Sequence, residues 1–96
     1  MDEKYLEKQL FQRIRACGGH ALKFTSSSEI GYPDRLVLLP GARAVWVELK
    51  SPGQKPRKIQ MIRHEELKNF GFDVYVIDSI DKLNDLCDDI LRRTRR

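Results

Sequence analysis

Two apolar runs, Leu36-Val37-Leu38-Leu39 and Ala44-Val45-Trp46-Val47, separated only by Pro40-Gly41-Ala42-Arg43, constrain this chain more than any other feature. Such continuous runs fit strands covered on both faces, so they predict a β-hairpin at the centre of a sheet and not at its edge. What bounds them is at odds with burial. Asp34 precedes the first run, and Glu48 and Lys50 close the second. A buried carboxylate is costly unless a cation, a metal or hydrogen-bond donors meet it.

Strand alternation places Glu48 and Lys50 on one face. Asp34 joins them only in the right register. A two-residue turn at Gly41-Ala42 would set Asp34 against Leu49 and send Asp34 and Glu48 to opposite faces. We therefore expect a three-residue connection or a bulge near Gly41, a residue that tolerates positive φ. In that register Asp34 and Glu48 make an oxygen-only site suited to Mg²⁺ or Mn²⁺, with the Leu49 carbonyl as a further ligand. Such an ion neutralises charge on a phosphate, lowers the pKa of a bound water and steadies a leaving oxygen, which is what phosphodiester cleavage requires. Lys50 beside that water would stabilise the charge that develops.

The hairpin sits in an αβββαβα order. Leu6, Leu10, Ile14 and Cys17 recur at helical spacing and predict a helix over 3–17, stopped by Gly18-Gly19. His20–Thr25 reads as a first strand and Ser26–Pro33 as a loop; the hairpin strands run Asp34–Leu39 and Ala44–Lys50. A helix over Arg57–Phe70 should turn Ile59, Ile62, Leu67 and Phe70 inward and stop at Gly71. Phe72–Ile77 is a last strand, and Ser79 caps a C-terminal helix carrying Leu83, Leu86, Ile90 and Leu91. The chain, 1–96, reads as a single domain. Glu7 is the anomaly of the first helix, an acid on its inward stripe with Glu3 on the same face. From there it is placed to bind a second ion or to orient a water, and Gln60 is placed to meet Lys50 or that water. His20 and His64 read as non-catalytic, His64 as solvated.

A chain that is 41% hydrophobic and 33% charged has the balance of an ordinary soluble globular protein. It has no apolar run long enough to cross a bilayer and no signal-peptide core, so we expect no membrane association and a cytoplasmic location. A net charge of +4 fits a polyanionic partner. Lys55, Arg57 and Lys58, directly after the acid-lysine motif, are the expected phosphate contacts, with Lys23 on the flanking strand. The basic tail over 92–96 reads equally well as a solvated end. Cys17 and Cys87 lack metal-site or disulfide spacing and read as reduced core residues.

Gly31-Tyr32-Pro33-Asp34, Glu48-Leu49-Lys50 and Gln60, with Glu7 upstream and a Gly-Gly after the first helix, resemble the VRR-NUC family of the PD-(D/E)XK nuclease superfamily over roughly residues 3–85. The resemblance implies a restriction-endonuclease-like α/β fold, an αβββαβ core with a central mixed sheet flanked by helices, here with an added C-terminal helix. It implies a Mg²⁺- or Mn²⁺-dependent endonuclease that hydrolyses DNA. Stand-alone members of this size are similar to phage and bacterial proteins acting as homodimers on branched DNA, including Holliday junctions. The expected partners are thus DNA, a second copy of the chain, and a helicase or other replication-repair protein. Carried over residue by residue, Asp34 and Glu48 are metal ligands, Lys50 the catalytic lysine, and Gln60 and Glu7 supporting residues. The alternative is a branched-DNA-binding module that keeps the nuclease fold without turnover; the intact motif residues count against it.

Overall fold

The computed structural model describes residues 2–94, in the order α1 (Glu3–Ala16), β1 (His20–Lys23), β2 (Arg35–Leu39), β3 (Arg43–Leu49), α2 (Lys58–Asn69), β4 (Asp73–Ile77) and α3 (Ile80–Thr94). The strands form one mixed sheet ordered β1-β2-β3-β4. The first three strands are antiparallel, and β4 runs parallel to β3 after the α2 crossover. This is the expected element order, with ends moved by a residue or two, as fraying termini allow. The restriction-endonuclease-like α/β architecture expected from the sequence is the one observed.

Each boundary has a local cause. Asp2 caps α1 by accepting the Tyr5 N–H at 3.0 Å, and Ser79 caps α3 through the Lys82 N–H at 3.2 Å. Gly71 ends α2 with φ +100°, a conformation that a Cβ disfavours. The hairpin closes through Pro40-Gly41-Ala42, with Leu39 paired to Arg43. This is the three-residue connection that the Asp34–Glu48 register demands, and Gly41 and Ala42 both take positive φ.

Alternation then sorts the sheet into two faces. Val37, Leu39, Val45, Val47, Leu49 and Ile77 meet Leu6, Leu10 and Ile14 of α1 and Leu83, Leu86 and Ile90 of α3 in one buried cluster. Each such fully buried aliphatic side chain stabilises the fold by about 1.5–3 kcal/mol relative to exposure. The opposite face carries Leu36, Leu38, Trp46 and Glu48, and α2 packs there. β3 is covered on both sides from Val45 to Leu49, as its unbroken apolar run requires. β2 is less so, since Leu38 is exposed where no helix reaches it.

Two expectations are corrected. Phe70 and Ile62 lie exposed on α2, and Ile59 is only half-buried; the buried positions are Gln60, His64 and Leu67, one turn apart each. Leu67 faces inward as expected, but the face is otherwise polar where Gln60 meets the acid-bearing side of the sheet. His64 is accordingly buried and not solvated, and burial pulls its imidazole pKa down, with the charges of Lys68 and Lys50 adding to the effect. The described side chains of the basic tail stay more than half exposed, as in a solvated end. Arg92 pairs with Asp89 and Arg93 with Asp73, while Arg95 and Arg96 lie outside the described residues. Cys17 and Cys87 are free thiols packed against the core. None of the described helices is long and apolar enough to cross a membrane.

Candidate active site

Among the described residues Glu48 is the most buried acid, 3% exposed, with Val47 and Leu49 on either side of it in β3. It is held from two sides. Gln60 Nε2 donates to Glu48 Oε2 at 3.1 Å, and Lys50 Nζ lies 3.3 Å from the same oxygen. Gln60 is itself fixed, because its Oε1 accepts the Arg57 N–H at 2.8 Å and so caps α2. The other carboxylate oxygen, Glu48 Oε1, is buried with no hydrogen-bond partner among the described residues. A bare buried carboxylate oxygen is a costly arrangement that calls for a ligand or water.

The hairpin register sets Asp34 across from Glu48, since Arg35 pairs with Val47 one step further on. Asp34 Oδ1 accepts the Leu49 N–H at 3.2 Å, which ties the carboxylate to the end of β3. Burial first, then the charge of Glu48 and, more weakly, of Glu3, raise the Asp34 carboxyl from an ordinary 3.8 to about 6. The Leu49 N–H and Lys50 oppose that rise. Two neighbouring carboxylates, with the Asp34 carboxyl raised partly by the charge of Glu48, stand beside a lysine in an arrangement suited to a cation.

The loop before Asp34 is anchored by aromatic and guanidinium contacts. Phe24 stands edge-on to Trp46 at 4.9 Å between ring centroids, and Tyr32 lies 5.7 Å from Phe24 and 5.9 Å from Trp46. Arg63 of α2 donates to the Ile30 carbonyl at 2.8 Å, pairs with Glu29 at 2.6 Å and lies over the Tyr32 ring. Gly31 runs against α2, where a Cβ would come within 2.8 Å of the Ile59 carbonyl oxygen.

The fold thus brings Asp34, Glu48, Lys50 and Gln60 together. Glu7 does not join them. Its carboxylate is bonded to the Arg35 guanidinium and lies 3.9 Å from Lys23 Nζ. Arg35, on the α1 face of the sheet, supplies the cation that an acid on the inward stripe needs. Glu7 still lines, with Glu3, Lys4, Lys23, Asp34 and Arg35, a cleft of about 260 Å³. Sequence reasoning passed over Arg35, Arg63 and the burial of His64. The unexplained inward acid was itself the signal for Arg35. Lys55, Arg57 and Lys58 are exposed beyond β3, and Lys23 is 78% exposed. A larger cavity, about 700 Å³, lies along α3 between Asp85, Asp88, Asp89, Leu91 and Arg92. Its acidity suits no polyanion, so size does not mark the site.

Among the described residues no three His, Cys, Asp or Glu side chains cluster as a metal cage. Asp34 and Glu48 fit an ion of another kind. Mg²⁺ keeps several waters and is held by one or two carboxylates together with substrate phosphates. The buried, unpartnered Glu48 Oε1 leaves an oxygen free to serve such a role.

No family model matches the chain. A solved structure described as "VRR_NUC domain" superposes with a TM-score of 0.84 at 31% identity, over 90% of this chain and 94% of that one. "Putative nuclease p44" of Acyrthosiphon pisum secondary endosymbiont phage 1 is 44% identical over 79 residues, 82% of this chain and 85% of the phage protein. With the αβββαβ core and the Gly-Tyr-Pro-Asp and Glu-Leu-Lys segments converging on one site, the chain belongs to the VRR-NUC family.

Proposed function

We propose that this protein is a divalent-metal-dependent DNA endonuclease, and that it acts on branched DNA. The observation that carries the reading is the pairing of Asp34 and Glu48 across the hairpin, with one buried carboxylate oxygen left unpartnered and Lys50 alongside. Membership of the VRR-NUC family supports the nuclease chemistry. Asp34, Glu48 and the Leu49 carbonyl would hold a Mg²⁺ or Mn²⁺ ion. When bound, that ion supplies charge neutralisation at the scissile phosphate and a more acidic attacking water.

The chain's own residues do the rest. Lys50 places an ammonium where negative charge grows on the attacked phosphate. Gln60 keeps the Glu48 carboxylate in one orientation, and through its bond to the Arg57 N–H it links that orientation to the start of α2. The burial that raises the Asp34 carboxyl makes its ionised form costly without a cation, and the Leu49 N–H fixes its orientation at the end of β3. Glu7 fixes Arg35, which donates to the Asp34 carbonyl at 2.9 Å and so steadies the residue's backbone. Lys55, Arg57, Lys58 and Lys23 supply phosphate contacts around the site.

Action as a homodimer on four-way junctions follows from the same reading. A two-fold junction offers two scissile phosphates to two sites related by the same symmetry. A helicase or other replication-repair protein is the kind of partner such an enzyme would work beside, in the cytoplasm of a bacterial or phage-infected cell. The test is cleavage of a labelled four-way junction, a flap and a plain duplex in Mg²⁺, Mn²⁺ or EDTA, with Asp34→Ala in parallel. We expect metal-dependent cutting of branched DNA that the variant loses while still binding. Tight binding without cutting in any metal would instead leave a DNA-binding module.

A further inference from the structure

The cleft at Asp34 does not end at the catalytic residues. Through Glu7, Lys23 and Arg35, which line both, it continues into a groove of about 350 Å³ between α1 and β1, bounded further along by Lys8, Leu10, Phe11 and Ala21. From Glu3 to Phe11 the helix rises about 12 Å. The groove is long enough for a short stretch of one strand and carries three cations, Lys8, Lys23 and Arg35, against the single carboxylate of Glu7. Its floor, by contrast, is apolar, formed by Leu10 and Ala21.

A second observation concerns the helix wall. Lys4, Lys8, Phe11 and Arg15 recur at spacings of four, three and four, so they form one stripe along α1. Phe11 is 47% exposed in the middle of that charged stripe, with the Arg15 guanidinium 5.6 Å from its ring centroid. Solvation explains the lysines. It does not explain a half-exposed aromatic ring set between cations. Cations that track a backbone, interleaved with an aromatic ring on which a base stacks, are the means by which proteins hold single-stranded nucleic acid without reading its sequence.

We propose that the α1–β1 groove binds a single-stranded DNA arm leading away from the scissile phosphate, with Lys8 and Lys23 on its phosphates and one base stacked on Phe11. This rests on the nuclease reading for its direction from Asp34, but the binding it describes needs no cleavage. It accounts for branch selectivity in simple terms. A plain duplex keeps its bases paired and stacked and has nothing to offer Phe11, whereas a flap or an opened junction does.

The test is fluorescence anisotropy in EDTA, where the nuclease reading expects no cutting. The probes are a blunt duplex, the same duplex carrying a single-stranded arm, and the arm alone. We expect Phe11→Ala to weaken binding of the arm by about 5- to 150-fold, the size of a single base stack, with Phe11→Trp restoring it and the blunt duplex unaffected by either. Lys8→Glu with Lys23→Glu should weaken arm binding and lower its salt slope by about 0.7 for each phosphate the variant no longer neutralises. The pair of lysine variants decides the matter should the alanine variant fail to fold, which melting by circular dichroism would reveal. Arm binding unchanged in Phe11→Ala and in the lysine pair would overturn the proposal, as would equal losses for arm and blunt duplex in Phe11→Ala. The two readings separate cleanly. Native protein that cuts nothing in Mg²⁺ or Mn²⁺ yet binds the arm through Phe11 keeps the groove and loses the nuclease; metal-dependent cutting with Phe11-independent binding does the reverse.

Discussion

Asp34 carries a penalty that the rest of the fold tolerates. Its carboxyl titrates at about 6 in the folded chain against an ordinary 3.8, chiefly because it is buried and secondly because Glu48 is near. A raised folded pKa means that the folded state resists ionisation. The destabilisation is fully present above about pH 6, shrinks as the pH falls, and is gone below the unfolded value near 3.8. Asp34→Asn keeps the acceptor for the Leu49 N–H and removes the charge. In EDTA it should melt at a higher temperature than native protein at pH 8, with the difference closing between pH 6 and pH 4. A gap that stays constant across that range would show that Asp34 is not the titrating group. Gln60 makes a second prediction at this scale, because one side chain serves both the cap of α2 and the orientation of Glu48. Gln60→Ala should cost about 1 kcal/mol in urea unfolding, the usual size of a missing cap. Cleavage should fall further than that, by about 10- to 100-fold, as happens when a group that orients a metal ligand is removed. An equal loss of stability without a loss of cleavage would reduce Gln60 to a cap alone.

At the scale of elements, the loop that delivers Asp34 is held by its fit to α2. Gly31 takes φ +92°, and a Cβ there would stand 2.8 Å from the Ile59 carbonyl oxygen and 2.9 Å from Arg63 Cγ. Gly53 takes a similar φ of +80° with nothing within 4 Å. Both alanine variants suffer the backbone cost, about 1–2 kcal/mol, but only Gly31→Ala must also push the loop off the helix. We expect Gly31→Ala to lose more stability in urea, and to lose metal-dependent cleavage that Gly53→Ala keeps; equal effects would mean that the loop is not seated by its packing on α2. The same elements mark what could be read in advance. The hairpin was legible because parity is unforgiving: Asp34 and Glu48 share a face only with an odd loop, and Pro40-Gly41-Ala42 is one. The face of α2 was not legible, because reading a helix by its apolar residues assumes that inward means apolar. Ile62 and Phe70 break that assumption by facing solvent, while Gln60 and His64 go in to meet Glu48 and its surroundings. At Glu7 the inward acid was legible but its protein partner was not. An inward acid suggested a metal, and the cation that answers it, Arg35, comes from a strand distant in sequence.

Across the whole molecule, a net charge of +4 hides a separation of charge that matters more than its total. Asp85, Asp88 and Asp89 gather along α3, where Arg92 is paired to Asp89, and Arg93 is paired to Asp73 of β4. Lys55, Arg57 and Lys58 stand exposed where β3 delivers the acid-lysine motif. DNA drawn to such a surface would be steered away from α3 and toward Asp34. Neutralising phosphates releases condensed counterions, so the salt dependence of binding reports how many are engaged, at about 0.9 per phosphate for duplex DNA. Replacing Lys55, Arg57 and Lys58 together by alanine should flatten the plot of log affinity for a duplex against log salt by about 2 to 3, if each lysine or arginine meets one phosphate. The Arg57 backbone N–H that caps α2 survives the change, so folding should be spared. Replacing Arg92 and Arg93 should leave the slope as it is, because those charges are already engaged by Asp89 and Asp73. The reverse pattern, a flatter slope from the α3 arginines and none from the loop, would put the DNA on the acidic side of the molecule and away from Asp34, and the site proposed here would then have no path to its substrate.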